Sequence, residues 1–240
     1  MNSRVSRFLV LIVLSVIPLV VQAMGLRSFV ALPVNQGGAV FRLQYLANTD
    51  TDLGIAFVNA ALGLTGKDTL LFGLPYRITP TGGDRVGDIS ALYRRTIWQD
   101  DRKHSTTRVA LLTGVVLATD SKRDNALQLG MVATFYRDRH SFDVDALYRY
   151  GMGSRPDDGR YDVSWQYRLS PSEYPDWGFP TEWYSVVELN GRWRDGDAVD
   201  HQLTAGLQWI RHNWVVEGGV IQTINNDHET QYLLSTRIHF

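Results

Sequence analysis

The sequence contains no cysteine, which excludes a disulfide-stapled scaffold and thiolate metal sites. It has no excess of either charge: 24 Lys+Arg face 25 Asp+Glu, a formal net charge of −1, so nothing draws the whole chain toward nucleic acid. It has only one long apolar run, and its mean hydropathy of −0.17 argues against a helical membrane protein. Helical periodicity over any long stretch, internal repeats and low-complexity segments are also missing. With 44% hydrophobic and 20% charged residues, a disordered chain is excluded as well. A soluble β protein and a β-barrel in an outer membrane remain open.

The apolar run lies at the start. Arg4 and Arg7 precede an almost unbroken stretch of Leu, Val and Ile from Phe8 to Val21, followed by Val21-Gln22-Ala23 with a small residue at the end. Its length, about 14 residues, falls short of the roughly 20 that a spanning helix needs. Residues 1–23 are therefore expected to be a cleaved secretory signal. No cysteine follows the cleavage site, which excludes a lipoprotein. Residues 24–38 carry no periodicity that assigns them to a plug, a strand or a tail.

From residue 39 onward the dominant signal is alternation with period two. In its clearest form Tyr161, Val163, Trp165, Tyr167 and Leu169 interleave with Arg160, Asp162, Ser164, Gln166 and Arg168. The pattern predicts about twelve strands, near 39–47, 54–64, 69–78, 88–98, 107–118, 126–136, 141–150, 160–169, 184–194, 202–210, 214–224 and 231–240. Strands of roughly ten residues cross a bilayer when tilted. Turn chemistry separates them, as at Thr81-Gly82-Gly83-Asp84 and Pro156-Asp157-Asp158-Gly159. The expected fold is all-β: a transmembrane antiparallel up-and-down barrel over residues 39–240, with both termini periplasmic.

A soluble barrel shows the same alternation but hides its apolar face, whereas a barrel in lipid turns that face outward. Charge placement favours lipid. The polar faces carry Arg42, Arg77, Arg94, Arg108, Arg149, Arg160, Arg168, Arg192, Arg194 and Arg237, together with Asp88, Asp143, Asp145, Asp162, Glu188 and Glu217. On the apolar faces the strand charges reduce to Arg95. Those faces are also rich in Tyr and Trp near strand ends, where girdles form at the bilayer interfaces. Phe240 closes an alternating apolar series at the C-terminus, resembling the signal that barrel-assembly machinery reads.

The hairpin Leu62-Gly63-Leu64-Thr65-Gly66-Lys67-Asp68-Thr69-Leu70-Leu71-Phe72-Gly73-Leu74-Pro75-Tyr76, followed by Gly87-Asp88-Ile89, resembles the outer-membrane barrel family associated with meta-cleavage phenol degradation. Glu188-Leu189-Asn190-Gly191 and Leu203-Thr204-Ala205-Gly206-Leu207-Gln208-Trp209 agree with it. Those motifs build the barrel and do not read a substrate. The resemblance implies a transporter that passes small aromatic or hydrophobic molecules.

No catalytic constellation stands out. His104-Ser105 and His140-Ser141 are adjacent pairs in predicted turns, where neighbours point to opposite faces. Gly151-Met152-Gly153 lacks the third glycine and the helix of a dinucleotide loop. Asp143 and Asp145 share a face with Arg149, which favours ion pairing over acid–base chemistry. Asn225, Asp227, His228 and Glu229 read as a solvated loop before a cation clasp. No cofactor or metal is expected, and no enzymatic activity.

Ten inward arginines against six inward acids predict a narrow, arginine-biased lumen for small solutes. The competing reading is a closed structural barrel, an anchor or adhesion protein, whose lumen is locked by the same charges. The connections at the end away from the termini hold twelve acids and four bases, suited to bridging lipopolysaccharide through divalent cations. Expected partners are outer-membrane lipids and lipopolysaccharide, the assembly machinery and small solutes, with no nucleic acid.

Overall fold

The computed structural model describes residues 24–171, 181–225 and 228–240; the expected signal peptide and Asp227 lie outside the described residues. Twelve strands follow in order: β1 Ala39–Asn48, β2 Gly54–Gly63, β3 Asp68–Thr79, β4 Ile89–Arg102, β5 Ser105–Leu117, β6 Ala126–Arg137, β7 His140–Gly151, β8 Asp158–Arg168, β9 Thr181–Arg194, β10 Asp200–Arg211, β11 Trp214–Thr223 and β12 Thr230–His239. Each pairs antiparallel with its sequence neighbours, and β1 pairs with β12 to close the barrel. Closure leaves no open edge, so every strand finds hydrogen-bond partners on both sides. Among the described residues the β10–β9 ladder runs from Asp200↔Arg192 to Arg211↔Thr181.

The strands fall where the alternation places them. The β4–β5 hairpin extends further than expected, because Gln99–Arg102 continue as strand through Arg102↔Ser105. Their polar side chains suit a hairpin end standing in water, and Asp101 there accepts from Arg108 at 3.1 Å. The β3–β4 ladder is short, six pairs from Asp68↔Arg95 to Gly73↔Ser90. Beyond it Pro75 offers no N–H, and its carbonyl accepts from Gly87 N at 2.8 Å. A Cβ on Gly87 would stand 2.4 Å from the Pro75 ring, so this close approach requires glycine.

The outer surface is apolar: Leu129, Leu234, Leu207 and Met131 are all at least half exposed or nearly so, with Leu234 61% exposed. Aromatic rings gather toward both ends. His140 stacks on Trp165 with ring centroids 6.1 Å apart at the end bearing the termini, and Tyr148 meets Trp193 at 5.6 Å at the opposite, loop end. Arg95, the exception on the apolar face, is exposed and lies 3.6 Å from Asp68 beside the β2–β3 turn. Phe240 also points outward, held by backbone bonds to Ala39 in both directions, at 2.8 and 3.1 Å.

Candidate channel interior

Residues 24–38 form no helix or strand along their length; they enter the barrel. The backbone of this segment is satisfied by side chains of the inner wall, as buried peptide groups require. Phe29 N donates to Asp145 at 2.7 Å, Ala31 N to Thr134 at 2.8 Å and Arg27 N to Glu188 at 3.0 Å. The Leu26 carbonyl accepts from Arg42 at 2.5 Å and from Gln44 at 3.1 Å, and the Val30 carbonyl from Arg94 at 2.6 Å. Gln208 donates to the Met24 carbonyl. These partners come from β1, β4, β6, β7, β9 and β10, so the segment is moored around the circumference.

Its apolar residues are seated too. Leu26 packs with Val186, Ile221 and Leu233, and Ala31 with Leu92, Ala110, Leu112, Val132 and Leu147. Glycines make room: a Cβ on Gly206 would meet Leu26 Cδ1 at 2.7 Å, and one on Gly63 the Asn35 carbonyl oxygen at 1.9 Å. The inner wall is therefore shaped to this chain's own segment.

The charges expected inside all occupy inward positions of the alternation, but they divide into three groups. In the buried group Glu217 lies 2.5 Å from Arg42 and 3.2 Å from Arg237, the last pair almost fully buried. Asp162 accepts from Arg192 at 2.8 Å and from Asn190 at 2.6 Å, and its other oxygen lies 3.6 Å from Arg160. Asp143 accepts from Thr134 and Gln166, and Arg94 donates to Thr69 as well as to Val30. Glu188 and Asp145 hold the segment. At the loop end Asp88 bridges Arg123 and Arg155 at 3.0 and 2.8 Å, Arg149 pairs with Asp158 at 2.6 Å, and Arg77 ties down the carbonyls of Gly82 and Asp84. Arg194 is exposed there. At the end bearing the termini Arg108 pairs with Asp101, and Arg168 with Glu182 at 2.9 Å.

Two expectations change. Arg149 shares a face with Asp143 and Asp145, yet its partner is Asp158, directly opposite across the β7–β8 ladder. Cross-strand neighbours lie closer than residues two or more along one strand. The second change is that part of the inner polar set answers residues 24–34, in addition to pairing across the lumen. Sequence reasoning also missed Arg27, Arg123 and Arg155, because they sit in segments without periodicity. The loop carrying Arg155 is fixed by Asp124, whose carboxyl is held below its usual range by the Ser154 backbone N–H and then its hydroxyl.

His140 and Ser141 point to opposite faces, with His140 exposed among aromatic rings and Ser141 buried. No group of three or more metal-ligating side chains occurs among the described residues.

Two cavities within the described residues bear on passage, with Met24 lining both. The larger, about 610 Å³, reaches the loop end between Arg149, Arg155, Arg192 and the inner faces of β1–β3. The smaller, about 310 Å³, lies toward the termini, lined by Leu32, Pro33, Val34 and His239. Residues 24–34 separate them.

No family model and no curated protein matches the sequence. Solved structures do. The chain is similar to the KdgM porin, with 8% identity and a TM-score of 0.57 over 84% of this chain and 99% of that one. It is similar to the NanC porin, with 10% identity and a TM-score of 0.56 over 82% and 98% of the two chains. An outer membrane channel from Pseudomonas putida F1 gives 13% identity and a TM-score of 0.54 over 88% and 98%. At these identities the likeness concerns the fold, and the chain has the closed antiparallel barrel fold of small outer-membrane channels.

Proposed function

We propose that the chain is an outer-membrane channel for passive passage of small solutes, exported by its N-terminal signal. Both termini would be periplasmic, with Phe240 read by the assembly machinery and the acidic loops facing lipopolysaccharide. The observation that carries this reading is the pair of cavities, one toward each end of the barrel, divided by residues 24–34, which belong to no strand. The fold supports it, since the similar proteins are porins and a channel. One of them, the KdgM porin, is known in complex with disordered oligogalacturonate. The sequence resemblance to the phenol-degradation barrels points here to aromatic or hydrophobic compounds. The sixteen inward charges would line the path or support those that do. The alternative is a closed structural barrel, favoured by the buried ion pairs and by residues 24–34 standing across the lumen.

Purified protein in planar bilayers is expected to conduct and to prefer anions weakly. Arg123→Glu should shift the reversal potential toward cations while the barrel stays folded, because Asp88 keeps Arg155 as a partner. Absence of both conductance and liposome swelling would establish the closed barrel instead.

Membrane assembly has its own test. Leu234 sits at the middle of β12, facing out, so Leu234→Arg should cost about 2–4 kcal/mol at the bilayer midplane. That variant and a chain lacking Phe240 should both lose heat-modifiable, membrane-inserted protein while export continues. Normal insertion of both would contradict the lipid-facing assignment.

A further inference from the structure

The two walls of the larger cavity differ in chemistry. On β7, β8 and β9 the inner face presents Arg149, Arg160 and Arg192 to the cavity, with Arg27 from the internal segment beside them. Arg160 and Arg192 are directly opposite each other across the β8–β9 ladder, an arrangement that is unfavourable for like charges without an anion nearby. The acids that answer them lie behind. Asp145 and Asp162 have no exposed side-chain surface, whereas Arg160 is 20% and Arg192 26% exposed. On this wall the cavity therefore meets guanidinium groups; the carboxylate elsewhere in its lining, Asp88, is held by Arg123 and Arg155.

Arg160 is the least committed of the three. Its nitrogens stand 3.9 Å from Asp145 and 3.6 Å from Asp162, both longer than a hydrogen bond. Asp145 Oδ2 accepts from Phe29 N and Asp162 Oδ1 from Arg192 and Asn190, while the oxygens nearest Arg160, Asp145 Oδ1 and Asp162 Oδ2, attract it by charge without accepting a hydrogen bond. The face of the Arg160 guanidinium rests on the Phe29 ring at 4.2 Å, which fixes its plane and leaves N–H edges for a ligand.

In a closed ring of twelve strands, β2 lies across from β8 and β3 across from β9. That facing wall carries Phe57, Ala61, Leu71 and Pro75, with Leu46 alongside on β1; Asn59 on β2 and Arg42 and Gln44 on β1 are its polar members, Arg42 being paired with Glu217. A volume of about 610 Å³ falls within the roughly 300–1,000 Å³ of small-molecule sites.

We propose that this cavity binds a small amphiphilic anion, its carboxylate on Arg160 and Arg192 and its aromatic or aliphatic body against Phe57 and Leu71. The inference deepens the channel reading by naming its solute class. A sugar acid satisfies the arginines but leaves the apolar wall in contact with hydroxyls. A neutral apolar molecule makes no use of the guanidinium surface that faces the cavity. Only a molecule with both parts fits both walls.

The test is calorimetric titration of the full mature protein in lipid nanodiscs, with empty nanodiscs subtracted. The ligands are 4-phenylbutyrate, octanoate, 4-phenylbutanol and galacturonate. Saturable binding of 4-phenylbutyrate or octanoate is expected, at least about tenfold tighter than of the alcohol or the sugar acid. Which of the two binds more tightly tells an aromatic from an aliphatic body. Arg160→Gln and Phe57→Asn, on opposite walls, should each weaken that binding about tenfold; Phe57→Asn touches no ion pair, so it serves where Arg160→Gln does not fold. Galacturonate or 4-phenylbutanol binding as tightly as the amphiphilic acids, or no saturable binding at all, overturns the proposal. Conductance of the same preparation separates the two claims: a conducting protein without this binding loses the site and keeps the channel, and a binding protein without conductance does the reverse.

Discussion

Deleting residues 25–34, with Met24 kept after the signal, is expected to raise single-channel conductance roughly five-fold or more, since the narrowest section limits ion flow. The deletion removes what stands between the cavities of about 610 and 310 Å³, while leaving all twelve strand ladders in place. The segment forms no part of any ladder; it is held by side-chain bonds such as Phe29 N to Asp145 and the Val30 carbonyl to Arg94. Water entering the widened lumen replaces those bonds, so the polar wall is not left dry. The barrel should remain heat-modifiable, at some loss of stability from the buried contacts of Leu26, Val30 and Ala31. A folded deletion variant with unchanged conductance would show that the segment does not set the width of the path, and would return attention to the ion pairs.

The second large effect is expected at Glu217. This acid is fully buried and sits between two arginines, 2.5 Å from Arg42 and 3.2 Å from Arg237. Arg42 has other acceptors, in Ser235 and the Leu26 carbonyl. Arg237 has none by hydrogen bond among the described residues, and it is 1% exposed. Glu217→Ala therefore strands a buried cation, an imbalance that costs about 3–5 kcal/mol when one partner of a buried pair is removed. Glu217→Gln keeps the shape and one hydrogen-bond acceptor but loses the charge, and should fall between wild type and alanine. The measurement is the temperature at which the folded, fast-migrating form is lost on gels. Alanine and wild type unfolding together would mean that water in the lumen already solvates Arg237.

Much of this molecule is legible in the linear order of residues. Twelve strands, the inward set of charges and the outward position of Arg95 follow from a period-two pattern, because that pattern is local: the two faces of one strand meet two different solvents wherever the strand lies. Residues 160–169 show this in a single stretch. The β4–β5 hairpin is less legible, because strand pairing continues there to Arg102↔Ser105 after the alternation has stopped.

What the sequence by itself determined is the barrel, its strand number and which side chains face inward. Only the tertiary structure decided where residues 24–38 go and which charge meets which. Nothing in Met24–Gly38 has a period, and its path depends on Glu188, Asp145 and Thr134 being brought round one ring from strands far apart in the chain. The same holds for Arg149, which pairs with Asp158 across the ladder, and for the two walls of the larger cavity. Opposition of β8 to β2 exists only once β1 and β12 close the sheet, since contacts across a lumen are fixed by strand count and register.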